Sequence, residues 1–148
     1  MSYETLKALE GQEVGVSDWF QIDQARIQAF ADATVDHQWI HLDAEKAASG
    51  PFGTTIAHGF LTLSLLVHLQ ESTELPVDGV KMAVNYGLDK VRFITPVPAG
   101  GRIRARRTVA EVAQAGDGSV QVKSTVTVEL EGAERPAYVA EPIARYYF

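Results

Sequence analysis

The chain has 148 residues, a formal net charge of −6 at pH 7 and no cysteine. The length fits one domain with a substantial core, and the lack of thiols excludes disulfides, thiolate-bound zinc, iron–sulfur clusters and a cysteine nucleophile. The acidic balance argues against general nucleic-acid binding, because lysine and arginine carry the affinity for phosphates.

The first 50 residues predict a short strand followed by two helices. Residues 12–19 are typical of a strand. Asp23 is suited to cap a helix that ends near residue 35, and Asp43 is suited to cap a second, shorter helix over 44–49. The stretch between these helices, residues 36–42, has no regular pattern and is expected to be irregular.

A third helix is predicted over residues 59–70. Apolar residues cover nearly all of its faces, which is typical of a helix that other elements surround. Its apolar run is about half of a membrane span, and the N-terminus shows no basic stretch followed by an apolar segment. We therefore expect a cytoplasmic protein that makes no membrane contact.

The second half of the chain predicts strands. Segregated helices and strands indicate an α+β fold. One apolar helix inside one curved antiparallel sheet is a hot-dog arrangement, and the exposed edge of such a sheet favours pairing in a homodimer. The four candidate strands cover residues 80–94, 102–112, 120–130 and 137–147.

A basic block lies within this strand region. Residues 90–107 contain six lysines and arginines and no acidic residue. Arg102, Arg104 and Arg106 alternate, so they are expected to share one strand face. The block has two interpretations: a solvated strand face, which we favour, or a site for the phosphates of coenzyme A reached together with Lys90 and Arg92.

Polar residues gather before the predicted central helix. Asp36 and His41 are five positions apart on the irregular segment, so both can turn toward one point. A carboxylate and a neutral imidazole can take a proton from water and return one. Gly59 opens the helix, where an unpaired backbone N–H suits a developing oxyanion. These groups indicate addition or removal of water next to a carbonyl.

The same residues carry a family resemblance that extends from about residue 23 to residue 106. The chain resembles the MaoC-like (R)-specific enoyl-CoA hydratase family, and within it the nodulation-protein-N-like branch. The specific part is Asp-x4-His with a downstream Ala-His-Gly. The matching segments are DHQWIHLD at 36–43, GPFG at 50–53, IAHGF at 56–60, YG at 86–87, KVRF at 90–93 and PVPAG at 96–100.

This resemblance implies a single hot-dog domain over residues 1–148, a homodimer, and no cofactor apart from the coenzyme A of the substrate. It implies hydration of a trans-2-enoyl-CoA to a (3R)-hydroxyacyl-CoA, or the reverse dehydration. By position, Asp36 and His41 match the catalytic pair of the family, and Gly59 matches its backbone oxyanion donor.

Further residues are expected to contact the substrate. Gln38 and Trp39 stand where the family usually has asparagine and proline, so Trp39 is expected to reshape the acyl pocket. Ser64 matches a serine that is often found near the catalytic pair. The remaining candidates are Phe52 and Gly53 at the pocket mouth, His58 at the helix start, and Lys90 and Arg92 on the basic strand.

Four alternatives remain open at this point. A hot-dog thioesterase would direct water to the thioester carbon itself, and a binding protein would hold the acyl thioester without turnover. Asp36, His41 and His58 form a donor set that zinc can accept, although the resemblance points to chemistry without a metal. The structural interpretation of the pair is a loop cap and a buried histidine.

Overall fold

The computed structural model describes residues 2–73 and 75–148. Met1, the first residue of the N-terminal segment considered above, lies outside the described residues. The helices are α1 (Ser2–Lys7), α2 (Gln24–Thr34), α3 (Trp39–Leu42), α4 (Ala44–Ala48), α5 (Gly59–Ser64) and α6 (Leu66–Glu71). The strands are β1 (Glu13–Val16), β2 (Phe20–Gln21), β3 (Met82–Phe93), β4 (Arg102–Gln114), β5 (Val120–Leu130) and β6 (Tyr138–Tyr147). No helix of the described ranges is long and apolar enough to cross a membrane.

The strands form one antiparallel sheet. Its order is β1, β4, β5, β6 and β3, and β2 pairs with β4 beside β1. The sheet therefore has β1 and β2 at one edge and the 12-residue β3 at the other. The helices α5 and α6 pack against one face of the sheet, where the main core cluster lies.

The four predicted long strands are confirmed, with ends that move by one or two residues. In β5 the residues of the inner face, Val120, Val122, Ser124, Val126, Val128 and Leu130, are all buried, and the residues that alternate with them are not. Sequence reasoning missed α1 and β2, because a six-residue helix and a two-residue strand are too short to show a period.

Both predicted helix caps are present. The Asp23 carboxylate accepts a hydrogen bond from the Arg26 backbone N–H at 2.8 Å, and the Asp43 carboxylate accepts one from the Lys46 N–H at 3.0 Å. Helix α2 ends at Thr34, and its C-cap, Val35, takes a left-handed conformation with φ of 61°. The prediction of an irregular stretch over 36–42 was partly wrong, since it contains α3, a single turn that the hydrophobic period cannot reveal.

The predicted central helix differs from expectation in two ways. It is divided at Leu65 into α5 and α6. Its predicted burial on all sides was wrong for the single chain, because the sheet covers only one side. Leu61 and Leu66 are buried against the sheet, whereas Phe60 is 70% exposed and Val67 is 54% exposed.

Tyr138 ties the central helix to the sheet. Its side chain is fully buried, and its hydroxyl donates a hydrogen bond of 2.8 Å to the Thr62 backbone carbonyl. Burial raises the pKa of Tyr138 well above its usual range, so the hydroxyl remains a donor. This bond joins the start of β6 to the middle of α5.

We expect Tyr138→Phe to lower the free energy of unfolding by about 1–3 kcal/mol, because it leaves the Thr62 carbonyl buried without its donor. Urea unfolding followed by circular dichroism measures the change. Tyr147→Phe is the matched control, since the Tyr147 hydroxyl makes an exposed contact of 3.4 Å to Asp117. Equal losses in the two variants would contradict a special role for Tyr138.

Candidate active site

Three elements bring Asp36, His41 and His58 together. Asp36 follows the end of α2, His41 lies on α3, and His58 is the residue that precedes α5. One donor atom from each residue lies within 4.8 Å of the other two. The two residues of the predicted pair therefore meet at one point, and the third joins them from the helix start.

His41 is held by one hydrogen bond through its ring and by another through its own backbone carbonyl. Its side chain is 6% exposed, and its Nδ1 lies 2.7 Å from the Ile56 carbonyl oxygen. Because a carbonyl only accepts, Nδ1 carries the proton and Nε2 keeps the lone pair. The His41 carbonyl accepts a hydrogen bond of 2.8 Å from Gln24, whose side-chain oxygen accepts one of 2.7 Å from Thr55.

Burial is the main cause that lowers the pKa of His41 below its usual value of 6.5. The adjacent His58 lowers it further, whereas the bond to Ile56 and the charge of Asp36 oppose this change. The imidazole is therefore neutral near pH 7 and presents Nε2 as a base.

His58 is buried and contacts both members of the pair. Its side chain is 3% exposed, and its ring stacks on the His41 ring with centroids 3.8 Å apart. Its Nε2 donates to the Asp36 backbone carbonyl at 3.1 Å and lies 3.9 Å from the Asp36 carboxylate. The Phe30 ring also packs against the His58 ring, with centroids 4.9 Å apart. Among the described residues the buried Nδ1 of His58 has no hydrogen-bond partner.

Asp36 lies on the open side of the site. Its side chain is 52% exposed, and its carboxylate accepts a long hydrogen bond of 3.4 Å from the Gln38 backbone N–H. Its own backbone N–H donates to Ala31 at the end of α2. The site thus combines an exposed carboxylate with a buried imidazole, an arrangement that lets water or substrate approach from one side.

Gly59 is the first residue of α5, and no acceptor among the described residues pairs with its backbone N–H. A Cβ at this position would lie 3.0 Å from the Phe93 ring. A larger residue would fill the space between this N–H and the Phe93 ring, whereas glycine leaves room for a ligand atom.

Four further candidates lie at the start of α3 or in the turn that follows α4. The Trp39 ring packs beside Gly50 and carries the Lys46 ammonium 4.5 Å from its centroid. Gln38 is exposed. Phe52 and Gly53 form an exposed turn in which Gly53 has φ of 72°.

Three predicted contacts lie on other elements. Ser64 lines a cavity of about 400 Å³ between the helices and the sheet, and its hydroxyl donates to the Phe60 carbonyl at 2.7 Å. Lys90 and Arg92 lie on the exposed strand β3, where an Arg92 N–H donates to the Val91 carbonyl.

The outer arginines of the basic block pair with glutamates. Arg102 lies 3.3 Å from Glu131, Arg104 lies 2.6 Å from Glu129, and Arg106 lies 3.0 Å from Glu129. They share a face, as the alternation predicted, and these pairs support the interpretation of that face as solvated surface.

Sequence reasoning missed Gln24 and Thr55, which orient His41 through its backbone. No local pattern marks them, because they are 31 positions apart. It also gave Arg107 no role of its own, although its position one step out of the arginine alternation places it on the inner face of β4.

Asp36, His41 and His58 also form a set that can hold a metal ion by donor type and spacing. The alternative of a metal centre therefore has a geometric basis at the same residues, and the expected metal-free chemistry stays a prediction.

Comparison with known proteins places these features in a family. The MaoC like domain matches residues 6–131. The chain is 56% identical over 145 residues to a protein named 3-hydroxyacyl-thioester dehydratase Z from Mycobacterium tuberculosis, an alignment that covers 98% of this chain and 95% of that one. It is 48% identical over 139 residues to Nodulation protein N from Rhizobium leguminosarum bv. viciae, which covers 93% and 86% of the two chains.

Solved structures agree with the fold. The (R)-hydratase from A. caviae involved in PHA biosynthesis superposes with a TM-score of 0.67 at 26% identity and covers 88% of this chain and 95% of its own. This likeness confirms the predicted hot-dog fold. Since the family match and the two curated relatives extend over most of the sequence, the chain belongs to the MaoC-like dehydratase family.

Proposed function

We propose that this protein adds water to a trans-2-enoyl thioester of coenzyme A to give the (3R)-3-hydroxyacyl thioester, and catalyses the reverse dehydration. The observation that carries the proposal is the meeting of Asp36 and His41 within 4.8 Å. The relative named as a 3-hydroxyacyl-thioester dehydratase and the structural likeness to an (R)-hydratase support the same chemistry.

The geometry supports a concerted use of the pair. Water lies between the Asp36 carboxylate and His41 Nε2, and its oxygen forms the new bond to C3 of the substrate. One proton of the water passes to the pair, and the pair delivers one proton to C2. The fixed tautomer of His41 makes Nε2 available for this exchange.

Charge that develops on the thioester oxygen needs a donor. The backbone N–H of Gly59 is unpaired within the described chain and lies at the start of α5, beside His58. A hydrogen bond from this N–H stabilises the enolate-like oxygen more strongly than the neutral carbonyl. With this donor and the acid–base pair, the reaction requires no additional cofactor.

We expect Asp36→Asn to lower kcat for crotonyl-CoA hydration by about 10²–10⁴-fold, because the amide cannot accept the proton. Loss of the conjugated-enone absorbance measures turnover, a parallel assay of free thiol detects thioester cleavage, and chiral analysis identifies the product. Asp32→Asn is the matched control, since Asp32 is an exposed acid that pairs with His37.

Unchanged turnover in Asp36→Asn would contradict the role of the pair. Thiol release without hydration would establish the thioesterase alternative, and loss of turnover on treatment with a chelator would establish the metal alternative.

The lowered pKa of His41 also predicts a pH dependence of stability. An unfolded chain protonates this histidine near pH 6.5, whereas the folded chain resists protonation until a lower pH. The unfolded state therefore binds more protons below pH 6.5, so the stabilisation is present above that pH and is lost as the pH falls. Because this loss begins near pH 6.5, the free energy of unfolding should be lower at about pH 5.5 than at about pH 7.5.

Urea unfolding at the two pH values measures this loss. His41→Gln should reduce the pH-dependent part, whereas His68→Gln, which removes an exposed histidine, should leave it as in the wild type. Identical pH dependence in the wild type and His41→Gln would contradict the prediction.

We also propose that the functional form is a homodimer joined through β3. All residues of this edge strand are exposed except Val91, which is half-buried, and Met82, Val84, Tyr86 and Leu88 present large apolar side chains. A long apolar edge strand of this kind pairs readily with another strand. A partner here would also cover apolar side chains that the helix leaves exposed. The cytoplasmic location stays a prediction.

We expect the wild type to have the mass of two chains in size-exclusion chromatography with light scattering. Val84→Lys should shift it toward the mass of one chain, because the charge would enter the interface. Val16→Lys is the matched control on β1 at the opposite sheet edge, with a similar exposure of 36% against 41% for Val84. A monomeric wild type, or equal behaviour of both variants, would contradict this interface.

A further inference from the structure

Arg107 differs from the other arginines of its strand. Arg102, Arg104 and Arg106 face outward and pair with glutamates, whereas Arg107 falls on the inner face of β4 and is only 5% exposed. Its position follows directly from the alternation of side chains along a strand. A permanently charged side chain therefore lies between the sheet and the central helices.

The contacts of Arg107 with the described residues are all with neutral groups. Its guanidinium donates to the Ser124 hydroxyl at 3.0 Å, to the Thr73 carbonyl at 3.2 Å and to the Tyr146 hydroxyl at 3.3 Å. No carboxylate within residues 2–73 and 75–148 forms an ion pair with it. Arginine has five N–H donors, so these bonds leave two of them available. Buried charges are ordinarily paired with an opposite charge.

Two cavities adjoin this guanidinium. Both are partly open to solvent, with volumes of about 400 Å³ and about 500 Å³, and Arg107 lines both of them. Gln70, Asn85, Val67 and Ala144 also line both, so Arg107 lies where the two cavities meet. None of the described residues that line the first cavity is acidic, and Glu71 lines the second.

The first cavity begins one helical turn beyond Gly59, and Gly59 itself does not line it. Leu63 and Ser64 line the near end of the first cavity, and Gln70 lines the far part. With a rise of 1.5 Å per residue, the eleven steps from Gly59 to Gln70 cover about 16 Å. An acyl chain whose thioester oxygen binds at the Gly59 N–H has to pass from Gly59 to Leu63 outside both cavities before it runs along them to Arg107.

We propose that Arg107 binds a carboxylate at the far end of the acyl chain, so that the preferred substrates are thioesters of ω-carboxyacyl chains. The proposal rests on the proposed function, because it needs the thioester at Gly59. The carboxylate would supply the missing opposite charge, and Gln70 and Asn85 are the polar neighbours able to bond its remaining lone pairs. The apolar walls between the two ends suit the methylene chain.

The first test needs only the wild-type protein. Three enoyl-CoA probes of equal length, ending in a carboxylate, a primary amide or a methyl group, are compared by kcat/KM over a series of chain lengths. We expect the carboxylate to exceed its amide isostere by about tenfold to hundredfold, the usual strength of a charge-assisted hydrogen bond. The preference for the carboxylate should peak at one acyl-chain length, because hydrogen bonds hold the Arg107 guanidinium at one distance from Gly59. Equal values for carboxylate and amide at all lengths would overturn the proposal.

The second test uses Arg107→Gln, with Arg107→Lys as the variant that keeps the charge and thermal unfolding as the check on folding. We expect Arg107→Gln to abolish the preference for the carboxylate over the amide, whereas Arg107→Lys should retain part of it. A preference that survives in folded Arg107→Gln would overturn the proposal. If Arg107→Gln does not fold, the comparison of probes on the wild type decides.

The proposal and the proposed function can fail separately. If no enoyl probe is hydrated, the proposed function fails, and calorimetric titration with the saturated carboxylate-terminated and amide-terminated acyl-CoA still tests Arg107. Tighter binding of the carboxylate would support the proposal, and equal binding would overturn it. Hydration of the methyl-terminated probe without any preference for the carboxylate would overturn the proposal alone.

Discussion

The hydrogen bond from the His41 ring to the Ile56 carbonyl holds the candidate site together. Ile56 also donates its N–H to Ile40 at 3.1 Å and pairs with Pro98, while Ala57 donates to Val97 at 2.8 Å. The segment that receives the imidazole is thus attached to the loop between β3 and β4. The same segment continues into His58 and the start of α5. The hydrogen bond of the His41 ring therefore fixes the position of the base relative to both the Gly59 N–H and the sheet.

The sequence could predict those features that depend on neighbouring residues. The caps at Asp23 and Asp43 and the alternation of β5 follow from local chemistry and strand period, and all are present. The meeting of Asp36 with His41 was expected from their spacing and the family motif. The support of His41 by Gln24 and Thr55 was not predictable, because it depends on tertiary packing between distant segments.

The exposure of the central helix shows a different limit of sequence reasoning. A run that is apolar on all faces predicts that it is covered on all sides, but does not say which chain provides the cover. The sheet of this chain buries Leu61 and Leu66 and leaves Phe60 and Val67 exposed. The apolar pattern therefore fits an assembly better than a single chain, and the open edge of β3 lies at the same side of the sheet as the cavities.

Val35 has a consequence for the stability of the molecule. A β-branched residue with φ of 61° is strained by an amount on the order of 1–3 kcal/mol, and it directly precedes Asp36. Val35 caps α2, and the Asp36 carboxylate that follows lies 3.9 Å from His58. The fold thus holds part of its conformational energy next to the candidate catalytic carboxylate. Val35→Gly would relieve the strain, because glycine adopts this φ without a steric penalty. It would also loosen the backbone that positions the Asp36 carboxylate, so stability and catalytic alignment oppose each other at this residue.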